Sequence, residues 1–498
     1  MNKGTAFPGL GSLGSGAVTA VALAVQTGLA AVVGVIIARD FGRTAETDGF
    51  FAAYGVFIVV VLAATAIRVA VLPPLARARG ERRLGAEVTA YAVTLAAIAV
   101  PLLILALSAA RPLAWVLTGN GAERAMDTAA ATLPWMMVAA VLQLYGGLAA
   151  SALASLDDYI VPAAGYAAGS GIGLTYIVLR IHPDGIAAVA RGMTLNGVIV
   201  VLVAVIALTM RARRAAMPPG AIRPVGVSFV ARFREMGAGV ALPLALQAIY
   251  VICLPLAARE GTGSVTSFGY AYLVAAAVVA VTASSLGLVT SVPLTRAGLD
   301  VRSTTHHIVS SSWLGLIAIG AVAGVFGLAG ERLIHAVLGD VYGADVGSEI
   351  GRLVVVLSPW AVASVAVGVI FPLVFVAGGG VRRLPLLALA TVVVHVPVAL
   401  AGQIIGGLDG LAVALALTTA LAVVGMLHGL QAIGSTVRGL GVAVATVGVL
   451  ALVSFLLPWL VLGPVAAAAV GLAVYTLLLA LVRPPGLVAA WHYLRALG

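Results

Sequence analysis

Read for hydropathy, the chain is a succession of unbroken apolar runs of about 20 residues, each closed by a cluster of charged, Gly or Pro residues. Cut at those clusters, the runs fall at 15–38, 49–73, 86–109, 129–153, 160–180, 192–210, 235–258, 265–292, 307–329, 352–376, 384–404, 409–431, 438–460 and 463–482. Twenty helical residues rise about 30 Å, the thickness of a bilayer's hydrocarbon core. The spacing therefore predicts fourteen transmembrane helices. A β-barrel would alternate apolar and polar positions over about ten residues, and these runs do not. The final two runs, parted only by Leu460 to Pro464, also fit one broken segment.

Composition agrees with an all-α polytopic membrane protein. Of 498 residues, 62% are apolar and 9% charged, against about a quarter charged in soluble domains, which excludes a soluble protein. The 59 Gly and 22 Pro suit packed membrane helices, where small residues let backbones approach. The single Cys253 excludes intramolecular disulfides and cysteine metal clusters. The first 14 residues hold one Lys and no basic cluster, so the first run reads as a retained helix rather than a signal peptide.

The formal charge of +10 is a topology signal before it is a nucleic-acid signal, and no nucleic-acid partner is expected. With a cytoplasmic N-terminus, eighteen of the 28 Lys and Arg fall on the cytoplasmic side, among them Arg77, Arg79, Arg82, Arg83 and the six Arg from Arg211 to Arg234. Nine fall outside, and Arg68 lies within a span. Both termini are predicted cytoplasmic.

The chain also reads as duplicated. Pro74-Leu75-Ala76-Arg77-Ala78 is echoed by Pro293-Leu294-Thr295-Arg296-Ala297 at an offset of 219, Pro134-Trp135 by Pro359-Trp360 at 225, and Pro162 by Pro385 at 223. Six intervening helices leave the copies in the same orientation, an arrangement found in transporters. The expected domains are a first lobe at 1–210 (helices 1–6), a cytoplasmic basic linker at 211–234, a second lobe at 235–432 (helices 7–12), and helices 13–14 with the tail at 433–498.

No enzyme constellation is visible. There is no GxxxxGK[ST] phosphate loop, and neither a cofactor nor a metal is implied. His306-His307 stands at a helix entrance and His395 and His428 inside spans, without the partners of an HExxH site, so the histidines read as structural. Work on a substrate must come from its own gradient, the membrane potential or a coupled ion. Arg68, an intramembrane cation, is a candidate site residue, although five residues before Pro73 it can also snorkel to the interface.

The segment Ala38-Arg39-Asp40-Phe41-Gly42-Arg43-Thr44-Ala45-Glu46-Thr47-Asp48-Gly49-Phe50-Phe51-Ala52-Ala53-Tyr54 resembles the link between the first two helices of the MurJ (MviN) lipid II flippase family of the MOP exporter superfamily. LPPLARA (72–78), ALASLDDYIVPA (152–163) and Gly263–Arg296 resemble further parts of that family. With the helix count, the resemblance spans essentially the whole chain. It implies a V-shaped, two-lobed bundle that exports a polyprenyl-diphosphate-linked saccharide by alternating access, from a bacterial plasma membrane. Membrane lipids, a coupling ion or the membrane potential, and envelope-biosynthesis enzymes are the implied partners.

On this resemblance Asp48 matches the family's acidic residue at the start of the second helix, and as an N-cap it suits the position equally well. Arg39, Arg259 and Arg352 sit at outer helix ends, where lobe closure would bring them near a diphosphate. Gln26, Gln143, Gln247 and Gln403 line a sugar site or bond between helices. Thr27, Val33, Gly34, the Val59–Leu62 run and Tyr272 stand where the family carries cavity cations, so the cationic site is expected to be sparse. Two other readings remain: an ion-coupled drug or metabolite antiporter of the MATE type, disfavoured by the lack of a midspan Asp or Glu, and a scaffold that has lost transport.

Overall fold

The computed structural model describes residues 28–81, 83–119, 122–156, 158, 160–214, 229–284, 301–377 and 383–497, and these are helical with no strand. After α1, described over 28–41, come α2 (Ala45–Gly80), α3 (Leu84–Ser108), α4 (Ala110–Thr118), α5 (Glu123–Ser155), α6 (Ile160–Asp184) and α7 (Ala187–Arg214). The second half holds α8 (Phe229–Ala257), α9 (Ser264–Val279), α10 (Val301–Leu338), α11 (Ala344–Val356), α12 (Ser358–Ala377), α13 (Leu384–Gly429), α14 (Ile433–Trp459), α15 (Pro464–Val482) and α16 (Pro485–Leu497). Where they are described, the apolar runs lie mainly on helices. Among the described residues, nine helices are long and apolar enough to cross a membrane, or ten if the bent pair α11 and α12 is one span.

Four elements depart from the hydropathic reading. The run 352–376 is two helices bent by 42° at Leu357, because Pro359 has no amide hydrogen to donate back to the preceding turn. The short α4 and α16 were not expected, since helices of 9 and 13 residues fall below the length that spans a bilayer. Both alternate apolar and polar faces, so each gains stability by lying against the bundle. Finally, α8 begins at Phe229, which places Arg232 and Arg234 on a helix rather than in the basic linker.

The junction between the runs at 384–404 and 409–431 falls where the sequence puts it. α13 continues for 46 residues, but Gly406 and Gly407 leave the helical region inside it, Gly407 with φ +54 and ψ −129, a conformation open chiefly to glycine. The two arms fold back, and the backbones of Gly402 and Gly410 approach so closely that a Cβ on either would strike the other's carbonyl.

Within the first half α2 packs on α5, α5 on α7 and α6 on α7; within the second α8 packs on α13, and α10 on α11 and α14. Across the halves α2 lies along α8. The largest apolar core runs through that contact, joining Phe50, Phe51 and Met136 to Leu254, Phe268 and Leu353. Side chains such as Leu107, Leu179, Leu389 and Leu481 are exposed, and with hydrocarbon as solvent they need no protein partner. The chain is a multi-pass membrane protein. Of the sequence echoes, Trp135 is exposed and Trp360 buried, and Pro293–Ala297 lies outside the described residues.

Candidate functional site

The segment joining α1 to α2 builds a junction with the second half of the chain. Thr44 caps α2, its hydroxyl accepting from the Thr47 amide while Thr47 Oγ1 accepts from the Thr44 amide at 2.8 Å. This reciprocal box leaves Asp48 free of its own helix. The expectation that Asp48 caps α2 is therefore corrected: its buried carboxylate caps α9. Oδ2 accepts from the Gly263 amide at 2.5 Å, and Oδ1 from the Thr266 amide at 2.9 Å and the Thr266 hydroxyl at 2.7 Å. An acidic group at that point meets the positive end of the helix dipole.

Arg43 completes the junction, donating from Nε to the Gly263 carbonyl at 2.9 Å and from Nη2 to Glu349 of α11 at 2.9 Å. Gly263 has φ +86 with Arg43 lying over the face where a Cβ would stand, so both the turn and the contact require glycine. Phe51 meets Tyr270 edge-on at 4.9 Å, and Tyr270 meets Tyr342 in the same way at 5.8 Å. A cavity of about 170 Å³ opens beside Asp48, between α2, the α4–α5 link and the α8–α9 turn.

Other predicted site residues gather at the same end. Arg39 donates to the Val337 and Ala336 carbonyls at 3.2 and 3.4 Å, satisfying the last turn of α10. Arg352 pairs with Asp409 at 3.1 Å. Arg259 is exposed in the turn after α8, and beside it Glu260 accepts from Gln403 at 2.7 Å. Thus Arg39 and Arg352 are occupied by protein acceptors.

The remaining candidates stand apart. Gln26 lies outside the described residues. Gln143 is buried on α5, and Gln247 on α8 accepts from the Tyr272 hydroxyl at 2.8 Å. Arg68 lies twenty residues beyond Asp48 on α2, about 30 Å along the axis. It is half-buried and makes no hydrogen bond or ion pair with a described residue, and it bears electrostatically on the Tyr166 phenol of α6. Between α10, α12 and α14 an apolar cavity of about 430 Å³ is lined by Gly320, Gly324, Val362, Val447, Phe455 and Trp459.

No family model and no curated protein matches the sequence. Among solved structures, the lipid II flippase MurJ in an inward closed conformation is similar with a TM-score of 0.69 at 14% identity, over 92% of this chain and 97% of that one. An inward-facing MATE-family multidrug resistance transporter of the MOP superfamily gives 0.62 at 15%, over 84% and 99%. A MOP superfamily transporter from Pyrococcus furiosus gives 0.60 at 15%, over 87% and 99%.

The chain has a MurJ-like MOP fold. In this MurJ-like bundle the end opposite the Asp48 junction is held by a contact the sequence did not announce. Arg232 of α8 donates from Nε and Nη2 to Glu87 of α3 at 2.9 and 2.7 Å and lies over the Tyr91 ring at 5.7 Å. Glu87 is only 2% exposed, so a buried carboxylate meets a two-pronged guanidinium partner. Arg232 went unnoticed because it ends a run of basic residues that reads as topology. Thr266 offered no signal, since its partner is 218 residues away.

Proposed function

We propose that the protein is a flippase that moves a polyprenyl-diphosphate-linked saccharide precursor across the bacterial plasma membrane by alternating access. The moving bodies are the lobes at 1–210 and 235–432, joined by the 211–234 linker. The Asp48 junction is the outer gate, closed here, and the Glu87–Arg232 end faces the cytoplasm, as do both termini. Arg68, a cation without an anionic partner among the described residues, engages the diphosphate on its way in from that side.

The observation that carries this reading is the apolar cavity between α10, α12 and α14. It draws one wall from a helix beyond the twelve of the two lobes, and a hydrocarbon tail needs an apolar slot open along the bundle while its headgroup passes between lobes. Arg39 and Arg352 keep structural roles at the outer gate, and the exposed Arg259 is placed to meet an emerging headgroup.

An ion-coupled MATE-type antiporter is the second reading, favoured by the likeness to MATE structures. Against it, the acidic residues with described side chains lie within about two turns of a helix end or break, which leaves no midspan carboxylate for an ion. Depleting the protein in its host and sorting polyprenyl-linked intermediates by leaflet with mass spectrometry tests both. The flippase reading expects one lipid-linked saccharide to build up in the inner leaflet. Unchanged pools with altered tolerance to amphiphilic drugs would replace it with the antiporter.

A further inference from the structure

Midway along the first arm of α13, about 17 Å from either end of that arm, His395 is fully buried. Its Nδ1 lies 3.0 Å from Thr418 Oγ1 on the second arm, and its Nε2 lies 3.4 Å from Cys253 Sγ on α8. The tautomer follows from the hydrogen count. Thr418 spends its only hydroxyl hydrogen on the Ala414 carbonyl at 2.8 Å, so toward His395 it can only accept, and Nδ1 carries the proton. Nε2 is then bare and accepts from the Cys253 thiol. The imidazole bridges α8 and both arms of α13 as a neutral group.

A second proton on Nε2 would turn Cys253 from donor into a weak acceptor. Among the described residues no opposite charge stands nearby. The charged residues of α8 sit at positions 232–235, about 28 Å down the helix. On α11, Glu349 and Arg352 are paired with Arg43 and Asp409, and Asp345 stands in the first turn. α12 has no charged residue, α14 has only Arg438 near its start, and Asp409 and His428 lie at the ends of the second arm of α13. The titratable neighbours are Cys253 and, beyond it, Tyr250 and Tyr272. A bare imidazolium in such surroundings is strongly disfavoured. Water entering the seam would solvate it, and would also satisfy the Tyr250 hydroxyl, buried without a hydrogen-bond partner among the described residues.

We propose that His395 is a proton-binding site of the transport cycle, neutral while the seam between α8 and α13 is closed and protonated when that seam opens to water. The proposal rests on the alternating-access reading above and adds to its rocking lobes an opening inside the second one, since α8 and α13 both belong to that lobe, with the proton as the ion that biases it. A proton binding only the open form shifts the population toward opening as pH falls.

Hydrogen exchange of the full chain in lipid nanodiscs, at pH 7.5 and 5.5 and corrected for intrinsic rates, tests this without any substrate. Peptides covering 246–256 and 392–420 are expected to exchange on the order of tenfold faster at the lower pH, and His395→Gln is expected to abolish that difference. Equal protection of the natural protein at both pH values, or an undiminished difference in the variant, would overturn the proposal. Should His395→Gln fail to fold, Thr418→Val keeps the imidazole but removes the Nδ1 acceptor, and is expected to move the midpoint of the response. An unmoved midpoint would count against the site. An intact pH response in a protein that moves no lipid-linked saccharide would reject the flippase reading and keep this one.

Discussion

Asp48 stabilises a helix whose N-cap, Gly263, lies 215 residues later in the chain, and its effect reaches across the bundle for that reason. Asparagine at this position keeps one acceptor oxygen but loses the charge and offers an amide to the Gly263 amide. Asp48→Asn is expected to cost about 1.5–3 kcal/mol, the range for hydrogen bonds to charged groups. A lower thermal midpoint in detergent, with faster thiol labelling of a cysteine placed at Gly261, would reveal it. Arg68 poses the opposite case, a cation with no anionic partner among the described residues. If it holds the diphosphate, Arg68→Ala leaves folded yield unchanged and slows flipping by about ten- to a hundredfold, the worth of one charge-assisted contact. Undiminished flipping in vesicles would remove Arg68 from the site.

Helix breaks set the geometry of the second half. The bend at Leu357 and the break at Gly406 and Gly407 turn long apolar stretches into pairs of shorter helices, and the α13 break brings Thr418 back beside His395. Gly407 holds a backbone conformation hostile to other residues, and Glu260 approaches the face where a Cβ would stand. Gly407→Ala is expected to destabilise by about 1–3 kcal/mol, while Gly429→Ala, which meets open space, serves as the control. Comparing their thermal midpoints separates strain at the break from the general effect of losing a glycine.

Contacts between the halves differ between the two ends. At the Asp48 junction, α1 and α2 engage α9, α10 and α11 through Arg39, Arg43 and Asp48, whereas at the other end the Glu87–Arg232 pair joins α3 to α8. On the flippase reading proposed above, that asymmetry suits a carrier closed outside and held more lightly inside. Removing one partner of a buried pair strands the other charge, so Glu87→Ala is expected to cost about 3–5 kcal/mol. The double variant Glu87→Ala/Arg232→Ala is expected to recover part of that stability and to favour the inward-open form. Distances between spin labels on α3 and α8 would widen in the double variant and stay put if the pair plays no part in gating.

The all-helical membrane class and the place of the α13 hairpin were legible from hydropathy. Whether a stretch prefers lipid or water depends on its own residues and near neighbours, and Gly406 and Gly407 announce a break locally. The motif at 38–54 likewise pointed to the end of the bundle where the halves meet. Its inner workings were not legible. These helices are apolar nearly all round, so their sequence names no inward face, and rotation and crossing decide which side chains meet. Asp48 could be assigned to α9 instead of α2, Arg39 to the carbonyls of α10 instead of a headgroup, and His395 to a seam between three helical segments, only once segments more than a hundred residues apart stood within hydrogen-bonding distance.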